Sequence, residues 1–96
     1  MSDMSRDIDQ FRRELAALGT RLDAKLTEFR KQGVLHGAAR QKAAELQIEH
    51  ARISREAASD HLTVIGAITD ELATDRKILN HTFDRWVAQI DRESER

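Results

Sequence analysis

"ELQIEHARISREAASDHLTVIG", residues 45–66, is the stretch on which the fold turns. It has no proline, and its one glycine is its last residue, Gly66. Leu46, His50, Ile53 and Ala57 recur through its first half at helical spacing. Ser59-Asp60 then supplies side chains of the kind that cap a new helix. The stretch is either the middle of one long helix or a joint between two. Leu46, Ala57, Ile68, Leu79 and Ile90 repeat at intervals of eleven, as do His50, His61, Leu72 and Phe83. Ile53, Val64, Asp75 and Trp86 keep the same interval, with Asp75 the misfit. Eleven residues in three turns is about 3.67 per turn, close to a straight helix. The phase favours continuity, and Ser59-Asp60 favours a break near residues 58–61.

The two arrangements differ in what covers the apolar stripe. A continuous helix from Ala38 to about Arg92 would be a rod of roughly 80 Å at 1.5 Å per residue. The first helix would cover half of it, leaving the heavier stripe of Leu62–Ile90 to an oligomer partner. A break permits a three-helix bundle whose stripes share one axis.

Upstream, Ile8, Phe11, Leu15, Leu18, Leu22 and Phe29 fall on steps of three and four, with Leu26 beside them. That spacing predicts an amphipathic helix over residues 5–31 with heptad character. Asp7 and Asp9 near its start and Arg30 and Lys31 at its end suit the helix dipole. Gly19-Thr20 interrupts the composition but not the phase, so one helix is expected, at a cost of about 1 kcal/mol for the glycine. In "KQGVLHGAAR" Gly33 and Gly37 bracket a turn at residues 32–37, and Val34 and Leu35 are expected to plug the end of a bundle. The next stripe is light: Ala39, Ala43, Leu46, His50, Ile53 and Ala57. It is suited to receive the Leu and Phe side chains of the first helix in an antiparallel pair. Gly66 is expected at a close helix crossing.

The expected fold is therefore all-α. It is an antiparallel helical bundle from segments about 5–31, 38–58 and 60–92, the last two joined or separate, in a single domain over residues 1–96 with a frayed tail at 93–96. Ninety-six residues set a modest ceiling on the core. Hydrophobic residues are 40%, but thirteen of them are alanine, with three Phe and one Trp. A core this thin gains from association, and a homo-oligomer is expected. Charged residues make up 34% of the chain at net −1. The chain has no cysteine, which excludes disulfides, thiolate zinc sites and thiol catalysis. Its longest apolar run is far below the roughly 20 residues of a membrane span. The acidic start "MSDMSRDIDQF" lacks the apolar core of a signal peptide. A soluble, cytoplasmic protein without membrane contact is expected.

Candidate chemistry centres on the histidines. His50 and His61 lie eleven residues apart, about 16 Å along a helix, so one helix cannot place both on a single ion. Neither Glu45 nor Glu49 has a histidine three residues on, so the Glu-x-x-His pattern of bundle metal sites is missing there. We read both as half-buried polar residues that set register or meet a carboxylate. A metal- or pH-responsive bundle using His50 and His61 is the alternative, because imidazole titrates near pH 6.5 and a charge disfavours an apolar seam. His81 and Asp84 share a face beside Asn80 and suit a surface hydrogen bond. His36 sits in the turn and is expected in solvent.

Thr69 and Arg76 fall where an apolar seam wants hydrophobic residues. Thr69 is expected to be buried against its own helix. Arg76 is expected to snorkel or to meet an acid on a partner. In "KILNHTFDRWVAQI", residues 77–90, the residues Ile78, Leu79, Phe83, Trp86, Val87 and Ile90 form the widest apolar face. That face is an ordinary core or, with Arg76, an interface carried by its aromatic anchors. No phosphate loop, nucleophile motif or paired acid stands out, and neither a catalytic role nor a cofactor is expected. The basic side chains of the first helix are answered by acids, which argues against direct nucleic-acid binding. The expectation is a non-enzymatic protein-protein interaction or assembly module, an adaptor acting on itself or another helical protein. The oligomerisation part of a nucleic-acid-associated regulator is a further alternative.

Overall fold

A computed structural model describes residues 3–58 and 69–94, which form helices α1 (Asp3–Gln32), α2 (Ala38–Ala57) and α3 (Asp70–Ser94). The Ser59-Asp60 joint, His61, the Leu62–Ile68 run and Gly66 lie outside the described residues.

α1 runs unbroken through Gly19. Its stripe of Ile8, Phe11, Leu15, Leu18, Leu22, Leu26 and Phe29 is buried throughout. Leu26 therefore belongs to the stripe rather than beside it. The helix stops where Gly33 takes φ 73°, a left-handed conformation that costs glycine little. The Gly33 N–H donates to Arg30 O at 3.2 Å and the Val34 N–H to Phe29 O at 3.1 Å. These two bonds form a Schellman cap and satisfy carbonyls the helix leaves open. Val34 and Leu35 then pack partly buried against the core, closing the bundle end as expected. Gly37, at φ 57° and ψ −130°, precedes α2 in a backbone shape few other residues adopt.

α2 lays Ala43, Leu46, Ile53 and Ala57 inward. α3 opens on a capping interaction: the Leu72 N–H donates to the Thr69 hydroxyl at 3.2 Å. Asp70 and Glu71 follow in its first turn, where acids suit the dipole. Thr69 is exposed, not buried against its helix as expected. Its hydroxyl does more for an orphan amide than its methyl would gain in the core.

Specific contacts fix the directions. Arg12 Nε donates to Ala57 O at 2.7 Å, and His50 meets Leu15, so α1 and α2 are antiparallel. Arg52 pairs with Asp75 at 2.9 Å, while Ala39 and Lys42 share a hollow with Trp86 and Gln89, so α2 and α3 are antiparallel. Arg76 pairs with Glu14 and Arg21 with Asp84, so α1 and α3 are parallel. On one straight helix Arg52 and Asp75 would stand about 35 Å apart. The continuous rod is thereby excluded, and the bundle measures 53 × 20 × 18 Å. The Arg52 bridge also explains the misfit in the eleven-residue pattern. Asp75 is half-buried because it faces a cation on the neighbouring helix.

The core runs the length of the bundle, with Phe29, Phe83 and Ile53 fully enclosed. Phe29 and Trp86 meet edge to face with centroids 5.5 Å apart, a geometry worth about 0.5–1.5 kcal/mol beyond area burial. The small Ala43 and Ala57 of α2 belong to the same core as the large side chains of α1.

Candidate interaction surface

Each of the three seams between helices carries different chemistry. In the α1/α2 seam the His50 ring lies over Gly19. Its Nε2 donates to the Leu15 carbonyl at 2.8 Å, and since a carbonyl only accepts, Nε2 carries the proton. A Cβ on residue 19 would lie 2.7 Å from the ring's Cε1 and Nε2. Glycine is therefore needed here to let the imidazole in. His50 is half-buried, and its partner is a backbone carbonyl. Nearby, the Arg12 guanidinium caps the last carbonyl of α2.

Cationic side chains cover the α1/α3 seam. Arg21 holds Asp84 at 2.9 Å and lies 5.3 Å over the Phe83 ring, and Lys25 lies 5.7 Å over Phe29. Arg76 lies 5.7 Å over Phe11 and reaches Glu14 at 3.5 Å. Arg76 thus finds its acid within the chain. Among the described residues two donors in the interior, Arg76 Nε and Trp86 Nε1, have no acceptor. Each costs about 1–3 kcal/mol that surrounding burial must outweigh.

Among the described residues the ion pairing across the α2/α3 seam lies at one end of it. There Arg52 binds Glu49 and Glu56 on its own helix and Asp75 on α3. The hydrogen bond to Glu49, then the one to Asp75, raises the guanidinium pKa above its usual value. Three residues further along each helix, Ile78 comes level with Glu49 and beside Ile48. Ile78 is 58% exposed and Ile48 68%. Among the described residues these are the exposed large hydrophobics, and both line one open hollow of about 400 Å³ with Leu46, Leu79, Glu45 and Glu49.

The wide apolar face of residues 77–90 therefore divides. Leu79, Phe83, Trp86 and Ile90 are buried in the chain's own core, Val87 is half-buried against it, and Ile78 points outward. Leu79, Phe83, Trp86 and Ile90 follow steps of three and four, and Ile78 is one residue off that rhythm. Ile48 was missed in the sequence. It sits about half a turn from the Leu46–His50–Ile53 stripe, between Gln47 and Glu49, and that displacement was the available signal.

His81 is exposed, and Asp84 turns to Arg21 instead of to His81. His36 is exposed in the turn. Among the described residues no three His, Asp or Glu side chains gather where a metal ion would be held. Nor is any described helix long and apolar enough to cross a membrane. Comparison with protein-family models, curated proteins and solved structures finds no match to this chain.

Proposed function

We propose that this chain is a non-enzymatic assembly module that binds another helical protein surface by packing on its α2/α3 face. The observation that carries the reading is the placement of Ile48 and Ile78. They are exposed on two different helices and line one shared hollow. A scattered surface isoleucine is ordinary, but adjoining ones rimmed by charge form the centre-and-rim pattern of an interface. The rim here is Lys42, Glu45 and Glu49. Leaving α2 and α3 rigid gives a partner helix a preformed groove, which lowers the ordering cost of binding. A cysteine-free chain suits a reducing compartment, and we take the cytoplasm as its setting.

The test is a photo-crosslinking side chain at position 78, compared with the same group at exposed Thr20 on α1, in cells expressing the full chain. Defined protein adducts from position 78 and not from position 20 are expected. Equal yields from both positions, or none from 78, would remove the reading.

A further inference from the structure

We propose that the occupant of the α2/α3 face is a second copy of this chain, docked antiparallel about a two-fold axis that passes Ile78. The proposal rests on the α2/α3 face being the docking surface and goes further by naming what docks there.

The argument comes from the charges on either side of Ile78. Glu71, Ile78 and Arg85 follow one another at seven-residue intervals on α3, and all three are exposed. Seven residues are nearly two helical turns, about 10.5 Å, so the three lie on one stripe with the isoleucine at its midpoint. Among the described residues neither Glu71 nor Arg85 has an ion-pair partner, although Arg21, Arg52 and Arg76 all do. Opposite charges, equally far from an exposed apolar residue and both unspent, are the pattern of a self-complementary surface.

A two-fold axis across the helices turns that pattern onto itself. Ile78 meets Ile78 of the partner, and Glu71 of each copy meets Arg85 of the other, giving the contact twice, as an isologous interface must. A parallel arrangement would instead set Glu71 level with Glu71 and Arg85 with Arg85. Like charges at those positions disfavour it. On α2, Ile48 stands at the level of Ile78, fixed there by the Arg52–Asp75 bridge, and so approaches the partner's Ile48 under the same rotation. The result is a layer of α2 and α3 from each copy, four helices around a second, smaller apolar seam, while α1 stays on the outside. Four isoleucines and two ion pairs make a small interface. The dimer is therefore a reversible one, of the small, transient class.

Light scattering or sedimentation on the purified full chain, from about 5 µM to 1 mM, reads this directly. The average mass should rise with concentration from 11.0 kDa towards twice that value, and the rise should weaken at high salt. Arg85→Glu, at an exposed mid-helix position, should weaken dimerisation tenfold or more while the far-UV spectrum stays helical. Ile78→Ser should do the same without a charge change. Adding Glu71→Lys to Arg85→Glu should restore association to near the original strength, because the swapped pair is again complementary. A chain that keeps the monomer mass through 1 mM overturns the proposal, and so does a double variant no better than Arg85→Glu alone. Crosslinks from position 78 to a different protein, with the purified chain monomeric, overturn the second copy and leave the helix-packing reading standing. Absence of any specific adduct from position 78 removes both.

Discussion

Gly19→Ala separates intrinsic helix preference from tertiary packing more sharply than any other single change in this chain. By propensity alone the substitution stabilises α1 by about 1 kcal/mol, since glycine is the poorer helix former. The structure predicts the opposite sign. The new Cβ would stand 2.7 Å from Cε1 and Nε2 of the His50 ring, inside contact distance. The ring has to rotate away, and the bond to Leu15 O goes with it. That loss is about 1 kcal/mol, and repacking of an overfilled seam adds about 1–3 kcal/mol. Against the propensity gain, the net is a destabilisation of about 1–3 kcal/mol, a fall in Tm of roughly 5–15 °C for a chain of this size. Urea and thermal unfolding followed by far-UV dichroism and by fluorescence of the single tryptophan, Trp86, give the number. The decisive step is the same substitution in a His50→Ala background. With the ring gone, Gly19→Ala should become stabilising, and the sign reversal is the measure of contact between the two residues. If Gly19→Ala stabilises the unmodified chain by the propensity amount, the imidazole does not occupy the space above Gly19 and the account of this seam is wrong.

Other substitutions report on the remaining contacts. Trp86→Ala removes an indole that is 5% exposed and meets both Phe29 and Phe83; about 3–5 kcal/mol should be lost in a dichroism-monitored urea titration, with no direct effect on the exposed α2/α3 face. Thr69→Ala should cost about 1 kcal/mol and speed hydrogen exchange at the Leu72 amide, with Thr69→Ser recovering most of the loss. Arg52→Ala should cost about 1 kcal/mol at low salt and less at high salt, because the guanidinium is over a third exposed and water screens it; Arg52→Lys should recover only part, since an ammonium cannot reproduce the fork shared by Glu49, Glu56 and Asp75. The Arg52 pKa is raised, so its contribution is complete below the unfolded value, far above neutral pH, and is lost only as pH rises through the still higher folded one. A comparison of Arg52→Ala with the parent chain at pH 7 and pH 9 should accordingly show the same difference in stability.

Much of the fold was legible because helices announce themselves locally. The α1 stripe from Ile8 to Phe29, the light α2 stripe and the Gly33–Gly37 turn each depend on residues within a few positions of one another. Periodicity gives the apolar direction of a helix, and the Schellman turn needs only a glycine that accepts positive φ. The candidate site was less legible. The sequence joined Ile78 to Leu79, Phe83 and Trp86 in one wide face, and nothing local says that the other three fill the bundle while Ile78 is left on its rim.

By itself the sequence determined an all-α chain, a turn after the first helix and an apolar stripe on each helix, since these follow from backbone propensity and the 3.6-residue repeat. Only the tertiary structure decided that α3 folds back along α2, that His50 lies over Gly19, that Arg76 answers Glu14 and that Asp75 answers Arg52. An eleven-residue repeat keeps its phase whether two segments are collinear or laid side by side. The choice between them rests on contacts between residues far apart in the chain, and a helical period carries no record of which neighbour its stripe will meet.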